Sequence, residues 1–329
     1  MKRKPKALAL LSGGLDSLLA AKLIMIESVK VEGVHFINPF SADPDSFLDE
    51  FSDETGIRIH KIPLGRDFLN LIINPRHGYG SHMNPCIDCR IFALKKAKKL
   101  MEKIGADFIV TGEVLDERPF SQRMEALLMI EKEAGLEGKI LRPLSAKLLP
   151  ITEPEKIGFV NRERLLAIRG RRRVVQIELA RRLGIKRYAS PSGGCLLTDP
   201  RFSERLRDYL KYRRRLRLID VELLKIGRHL RLGKTKIIVG RNREENHRLL
   251  SIAKNEGLLH MEVIGYPGPI TVVVGRCNKM IIQKAIGITI RYSDAPSHEQ
   301  VDVKITKKDK VEIMRGQALD DQEIRKYII

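Results

Sequence analysis

Tryptophan is absent from this 329-residue chain and aromatic residues make up only 5% of it. A platform of stacked rings is therefore not the main grip on whatever the protein binds. Cysteine is scarce as well: Cys86, Cys89, Cys195 and Cys277 are the full set, too few for a disulfide framework and spaced for chemistry instead. No apolar run approaches the roughly 20 residues that cross a bilayer, and Ala7 to Leu11 and Ile270 to Val274 fall far short. No membrane partner is expected, and the expected location is cytoplasmic. Two phosphate-binding signatures are also missing. Without Gly-x-x-x-x-Gly-Lys a Walker-type NTPase is disfavoured, and without Gly-x-Gly-x-x-Gly so is the usual dinucleotide fold.

What the chain has in excess is positive charge. Lys plus Arg number 61 against 41 Asp plus Glu, a formal net charge of +20. A thermophile-type surface rich in Lys, Arg and Glu would balance its signs. The imbalance points instead to a polyanionic partner, nucleic acid first.

Alternation organises the first half. Lys6 to Leu11 is an apolar run ending in Ser-Gly-Gly, and Leu15 to Ile26 continues at helical spacing: strand, glycine turn, helix. Val31 to Phe36 and Ile57 to Ile62 read as strands flanking a helix over Ser46 to Thr55. This predicts an α/β fold, a Rossmann-like parallel sheet with helices on both faces. A loop from Asn74 to Pro85 precedes a basic amphipathic helix over Ile87 to Ile104, followed by a strand at Phe108 to Thr111, a helix over Gln122 to Glu133 and an extended piece at Ile140 to Leu144. Asn161 to Leu183 reads as one charged helix stopped by Gly184, and Pro191-Ser-Gly-Gly-Cys195 as a tight turn presenting a cysteine. Lys211 to Arg217, mostly basic, looks like a connector, so the domains are drawn at 1–218 and 219–329. Beyond it, strands at Leu230 to Gly240, Leu258 to Ile264 and Ile270 to Gly275 surround a helix over Glu244 to Ala253, a smaller α+β domain.

Ser12-Gly-Gly-Leu-Asp-Ser17 sits between strand and helix, where backbone N–H groups can converge on an anion. Gly13 and Gly14 permit close approach, Ser12 and Ser17 add hydroxyls, and Asp16 is placed to hold Mg²⁺ or orient the loop. The six residues resemble the pyrophosphate loop (PP-loop) of the adenine-nucleotide alpha hydrolases. That resemblance implies ATP cleaved between its alpha and beta phosphates to adenylate a substrate oxygen, with adenine held by backbone near His35 and Phe36. Asn38 lies close but reads equally well as a turn residue.

Cys86-Ile-Asp-Cys89-Arg90, then Thr111-Gly-Glu113, then Ser121-Gln122, resemble in their order the 4-thiouridine synthases and the related 2-thiouridylases, over about residues 6 to 200. The resemblance implies a tRNA thiouridine synthase that activates a uridine carbonyl with ATP and inserts sulfur, 4-thiouridine favoured over 2-thiouridine. Gly112 and Gln122 would help hold the nucleotide and Cys195 would be the distal cysteine. The resemblance does not extend to the front RNA-binding portion that the 4-thiouridine synthases usually carry, which leaves the modified uridine open. Sulfur would come as sulfide or as a cysteine desulfurase persulfide, and a homodimer is plausible for placing a long RNA.

Two widely spaced cysteines would suggest a persulfide relay, but Cys86, Cys89 and Cys195 make three thiols. Three thiolates can ligate a [4Fe-4S] cluster and leave its fourth iron open, which in thiolases of this pattern is thought to bind the sulfide delivered. Zinc is the competitor, with His77 and His82 near in sequence as further ligands. Arg90, Lys95 and Lys96 could stabilise charge or grip RNA, although a solvated helix face explains the lysines. Cys277 reads as a core residue.

Gly240-Arg-Asn-Arg-Glu-Glu-Asn246, Leu259-His260 and Gly265-Tyr-Pro-Gly268 resemble the NFACT RNA-binding domain over about 225 to 300. Arg228, Arg231, Lys234, Lys236, Arg241 and Arg243 crowd the same stretch and suit the phosphates of a folded RNA, tRNA among them. A small-molecule adenylating ligase would leave the charge and cysteines without purpose, and a non-catalytic RNA binder would not need the intact loop.

Overall fold

The computed structural model describes residues 3–41, 45–189 and 195–329. The chain divides into two compact units at Asp199/Pro200. The expected turn at 191–194 lies outside the described residues.

The first unit runs β1 Lys6–Leu10, α1 Leu15–Ile26, β2 Lys30–Ile37, α2 Asp45–Thr55, β3 Ile59–Pro63, α3 Arg66–Ile73, α4 Cys86–Ile104, β4 Phe108–Val110, α5 Met124–Ala134, β5 Ile140–Leu141, α6 Glu153–Lys156 and α7 Val174–Arg182. Its five strands lie in the order β3-β2-β1-β4-β5, each pair parallel. Alternate residues of β1 serve opposite faces. Ala7 and Ala9 join Leu15, Leu18 and Leu19 of α1 in one apolar layer, while Leu8 and Leu10 join Ile87, Ile91 and Leu94 of α4 in the other. The chain thus leaves β1 toward one face and enters β4 from the other. Their carboxyl ends bound a switch point, where open α/β sheets bind ligands.

The long helix expected over 161–183 is not formed. Only α7 is α-helical; before it the chain makes one 3₁₀ turn, Arg162–Arg164, and then runs extended. Leu166 N and Ile168 N donate to the carbonyls of Pro143 and Leu144 at 2.9 and 2.8 Å, and Leu165 and Ile168 are buried. Strand-like pairing outcompetes helix propensity here. Gly184, at φ 72°, closes α7 as expected.

Ion pairing in the interior ties this unit together. Glu113, just past β4, accepts from Thr111 Oγ1 and from Arg142 Nε, both at 2.9 Å on Oε2, and its Oε1 lies 3.0 Å from Arg90 Nε. Arg142 also pairs with Glu131 of α5. Glu113 is 2% exposed and Arg142 3%. Burial works to raise the carboxyl's pKa, but Arg90 and Arg142 outweigh it and hold it below the usual carboxylate range.

The second unit comprises α8 Pro200–Tyr212, α9 Leu218–Lys225, β6 Arg228–Leu232, β7 Thr235–Val239, α10 Arg243–Glu256, β8 Leu259–Val263, β9 Thr271–Val274, α11 Lys279–Arg291, β10 Val301–Lys307, β11 Lys310–Gly316 and α12 Asp321–Arg325. An antiparallel sheet in the order β11-β10-β8-β9-β7-β6 carries α11 on one face and α9 with α10 on the other. Cys277 lies past the end of β9, half-buried against the α11 layer.

Removing the Glu113 carboxylate strands a buried guanidinium. Glu113→Ala should cost about 3–5 kcal/mol, read as a lower urea midpoint.

Candidate functional site

The glycine loop follows β1 directly into α1. Ser17 Oγ donates to Gly14 O at 2.8 Å and accepts from Ser12 N at 3.2 Å, so the two ends of the motif are tied across the turn. Gly13 sits at φ 76°, and Ala189 N donates to its carbonyl at 2.9 Å. No side chain caps the start of α1, which leaves its first N–H groups for an anion. His35, buried on β2, places Nδ1 2.8 Å from the carbonyl of Leu11 and so steadies the residue before the loop. Phe36 beside it packs partly into the α4 layer. Asn38 acts as a turn residue, its side chain accepting from Phe40 N at 2.9 Å.

Gly112 is pressed against this loop from β4. A Cβ there would lie 2.4 to 2.5 Å from backbone atoms of Asp16 and Ser17, so the absent side chain lets the sheet meet the first turn of α1. Gln122 is buried and braces the 116–122 loop: its Oε1 accepts from Arg118 N at 3.0 Å, and its carbonyl accepts from Asp116 N at 2.8 Å.

Asp16 is 8% exposed. Its Oδ2 pairs with Arg173 Nη2 at 3.1 Å, and the same nitrogen reaches Glu117 at 3.0 Å. Its Oδ1 has no hydrogen-bond partner of good geometry among the described residues, although buried Gln176 lies beside it. Burial, reinforced by Glu117, raises the Asp16 pKa to about 6 against the opposing pull of Arg173 and Gln176. Arg173 was not singled out by sequence, because the expected helix made it one of many arginines on a solvated face.

Cys86 and Cys89 occupy the first turn of α4. Two backbone bonds carry Cys195 toward them: Leu196 N donates to Phe40 O at 2.8 Å, and Met83 N to Leu197 O at 3.1 Å. The three thiols fall within electrostatic reach of one another. Burial pushes Cys89 up to about 12, with Cys195 and Cys86 adding. Burial likewise raises Cys86 against the Ser121 hydroxyl, and Cys195 against the Leu197 N–H. Arg118 pulls all three down. It is exposed on the loop that Gln122 braces and has no carboxylate partner among the described residues. Sequence reading missed it; a lone arginine between Thr-Gly-Glu and Ser-Gln was the available signal.

Among the described residues, no three His, Cys, Asp or Glu side chains are arranged to hold a metal ion as they stand. Nor is His77 free to join the thiols. Its Nδ1 lies 3.0 Å from Asp88 and its Nε2 3.0 Å from Glu133, and His82 is exposed. Arg90 is committed to Glu113, Lys96 lies over the Phe92 ring, and Lys95 is solvated. No helix among the described residues is long and apolar enough to cross a membrane.

Comparison with known proteins agrees with this division of the chain. Residues 3–147 match the family described as thiamine biosynthesis protein (ThiI), and residues 227–328 match the NFACT protein RNA binding domain. A probable tRNA sulfurtransferase of Lysinibacillus sphaericus is 35% identical over 164 residues, 46% of this chain and 38% of the relative. A tRNA-specific 2-thiouridylase of Syntrophotalea carbinolica is 30% identical over 125 residues, 34% of this chain and 36% of the relative. The chain thus spans less than half the length of these curated relatives. A solved 4-thiouridine synthetase in complex with RNA and ATP aligns at 24% identity over 55% of this chain and 52% of that one, with a TM-score of 0.35.

The packing of Gly112 predicts that Gly112→Ala displaces the first turn of α1. The variant should bind ATP at least about tenfold more weakly by calorimetry, since the loop's donors act only when pre-positioned. Asp16 predicts a stability effect of definite sign. Its folded pKa of about 6 lies above the ordinary 3.8 of an aspartate, so its stabilising protonated form is lost as pH rises through about 6. Asp16→Asn, neutral throughout, should melt no lower than the parent at pH 7.5, and the gap should close toward pH 4.

Proposed function

We propose that this chain, which joins a ThiI-type domain to an NFACT-type RNA-binding domain, is an ATP-dependent tRNA sulfurtransferase that exchanges a uridine carbonyl oxygen for sulfur, with 4-thiouridine favoured over 2-thiouridine. One observation carries the reading: an uncapped glycine loop and three thiols from separated segments lie in one unit, linked through Gly112, Glu113 and Arg90.

In the first step the carbonyl oxygen attacks the α-phosphorus of ATP and pyrophosphate leaves. Ser12, Gly13, Gly14 and Ser17 cradle the leaving group, with adenine against the backbone near His35 and Phe36. Arg173 opposes the charge that develops on it. The unpartnered Oδ1 of Asp16 fits a Mg²⁺ that travels with the phosphates. In the second step hydrosulfide adds to the activated carbon and AMP departs with the oxygen. Where a persulfide delivers the sulfur, its terminal sulfur adds first, a thiol of the site then attacks the S–S bond to free the thiocarbonyl, and the disulfide so formed is reduced by an external thiol. Arg118 holds the incoming sulfur anion near the thiols.

The donor set suits a [4Fe-4S] cluster in kind, three thiols within electrostatic reach of one another, although they would have to close up to hold it. Cys86, Cys89 and Cys195 would hold it, and it would supply an iron that the protein does not ligate, a place for sulfide. Zinc suits the set less well, since both nitrogens of His77 are already engaged.

Anaerobically purified protein should be brown, with absorbance at roughly 400 nm. It should convert uridine in a tRNA transcript to a thiolated nucleoside, given ATP, Mg²⁺ and sulfide, with mass spectrometry as readout. Cys195→Ser should abolish that product while leaving ATP binding within about twofold, since the thiols act after activation. A colourless protein that still thiolates would replace the cluster with a relay, and an absence of thiolated product from the parent would end the sulfurtransferase reading.

A further inference from the structure

Gly240-Arg-Asn and the Pro267-Gly268 turn, both singled out in the sequence, converge on one cavity of about 520 Å³ in the second unit, within the ~300–1,000 Å³ of small-ligand sites. Its walls are fixed by close packing. Asn246 of α10 accepts from Ile270 N at 3.0 Å, and a Cβ on Gly240 would lie 2.0 Å from that same Asn246 oxygen. A Cβ on Gly268 would lie 2.8 Å from the side chain of Ser293, the residue after Tyr292. These glycines are needed to shape an open cavity, since none of the three segments could approach as closely with a side chain added.

The lining combines cations with one aromatic ring. The Arg228 guanidinium lies over the ring of Tyr292, 4.8 Å from its centroid. Arg241 is neutralised by Glu245, and Glu262, the acid of the lining, is engaged by Lys304 at 3.0 Å. Arg228 and Arg243 have no carboxylate partner among the described residues, and Arg243 is exposed. The field in the cavity is therefore set by two unpaired guanidiniums beside a ring. The start of α10 adds nothing to this, being capped by Asn242.

We propose that the cavity is a subsite for one unpaired RNA nucleotide, with Arg243 taking the phosphate and the stacked Tyr292–Arg228 pair taking the base. The proposal rests on the reading of the chain as an RNA enzyme and adds to it a preference for a base free of pairing. A guanidinium and a ring in contact offer planar faces that suit an unstacked base of any identity. A double helix keeps its base faces stacked and would meet only the charges.

The full-length protein is titrated with two RNA hairpins whose strands are joined by a polyethylene glycol linker in place of loop nucleotides, one blunt and one with a single-stranded tail carrying 2-aminopurine, whose fluorescence is quenched on stacking. The tailed hairpin should bind more tightly and lose fluorescence. Tyr292→Leu, which retains apolar bulk, should remove the quench and weaken tail binding about tenfold, leaving the blunt hairpin unchanged. Arg243→Ala should reduce the salt slope for the tailed hairpin by about 0.7. Unquenched tails, or losses equal for both hairpins, would overturn the subsite while leaving the RNA-enzyme reading intact. If the parent binds neither hairpin, both fall together.

Discussion

A buried carboxylate between two guanidiniums holds the parts of the first unit in register. Glu113 leaves β4 at the sheet's switch point and reaches Arg90 of α4 and Arg142 beyond β5, and through Arg142 it reaches Glu131 of α5. Interior ion pairs of this kind seldom add net stability over apolar packing, because desolvation offsets attraction. What they impose is geometry. Arg90 follows Cys89 directly and Gly112 precedes Glu113, so one pairing sets the distance from the thiol-bearing helix to the turn that supports the glycine loop. The two steps proposed for this unit would need such a spacer, since an activated carbon is useful only within reach of the sulfur.

The sheet was legible because its strands are short apolar runs between glycine turns, and parallel strands buried on both faces leave that pattern. Where reading failed, at 161–183, the cause was tertiary. Those residues have helical composition, but Pro143 and Leu144 offered carbonyls to Leu166 and Ile168, and two buried apolar side chains fixed the extended register. That displacement also hid Arg173. Helices α3 and α8 carried no motif that set them apart in a charged chain, and the one signal at α11, its cap Asn278, went unread. The connector at 211–217 does link two helices, but α8 before it packs with the second unit, so the compact units divide at 199/200.

At the site, residue types were more legible than roles. Ser12 through Ser17 lie together as the motif suggested; Gly112 admits close approach of the backbone beside them, and Gln122 braces the 116–122 loop. Neither effect leaves a trace in spacing, because each depends on what lies across the fold. Arg118 left only its position between two motifs as a signal, since its meaning comes from thiols in other segments.

The electrostatics of the thiols constrain how they can work. Burial raises all three, and in Cys89 the other two add to the effect, so the resting trio is protonated and a poor nucleophile. Three thiolates side by side would repel each other, opposed by exposed Arg118 and, at Cys89, by Arg90, which is already paired with Glu113. The proposed sulfur chemistry would be helped by positive charge brought to the thiols, either by a metal centre that takes the thiolates as ligands or by a sulfur donor that arrives already activated. The glycine loop meets the complementary need with N–H groups fixed in advance around a visiting anion. In one unit, then, the proposed anion site would be prepared by the backbone, whereas the proposed sulfur site would become competent only once its partner is bound.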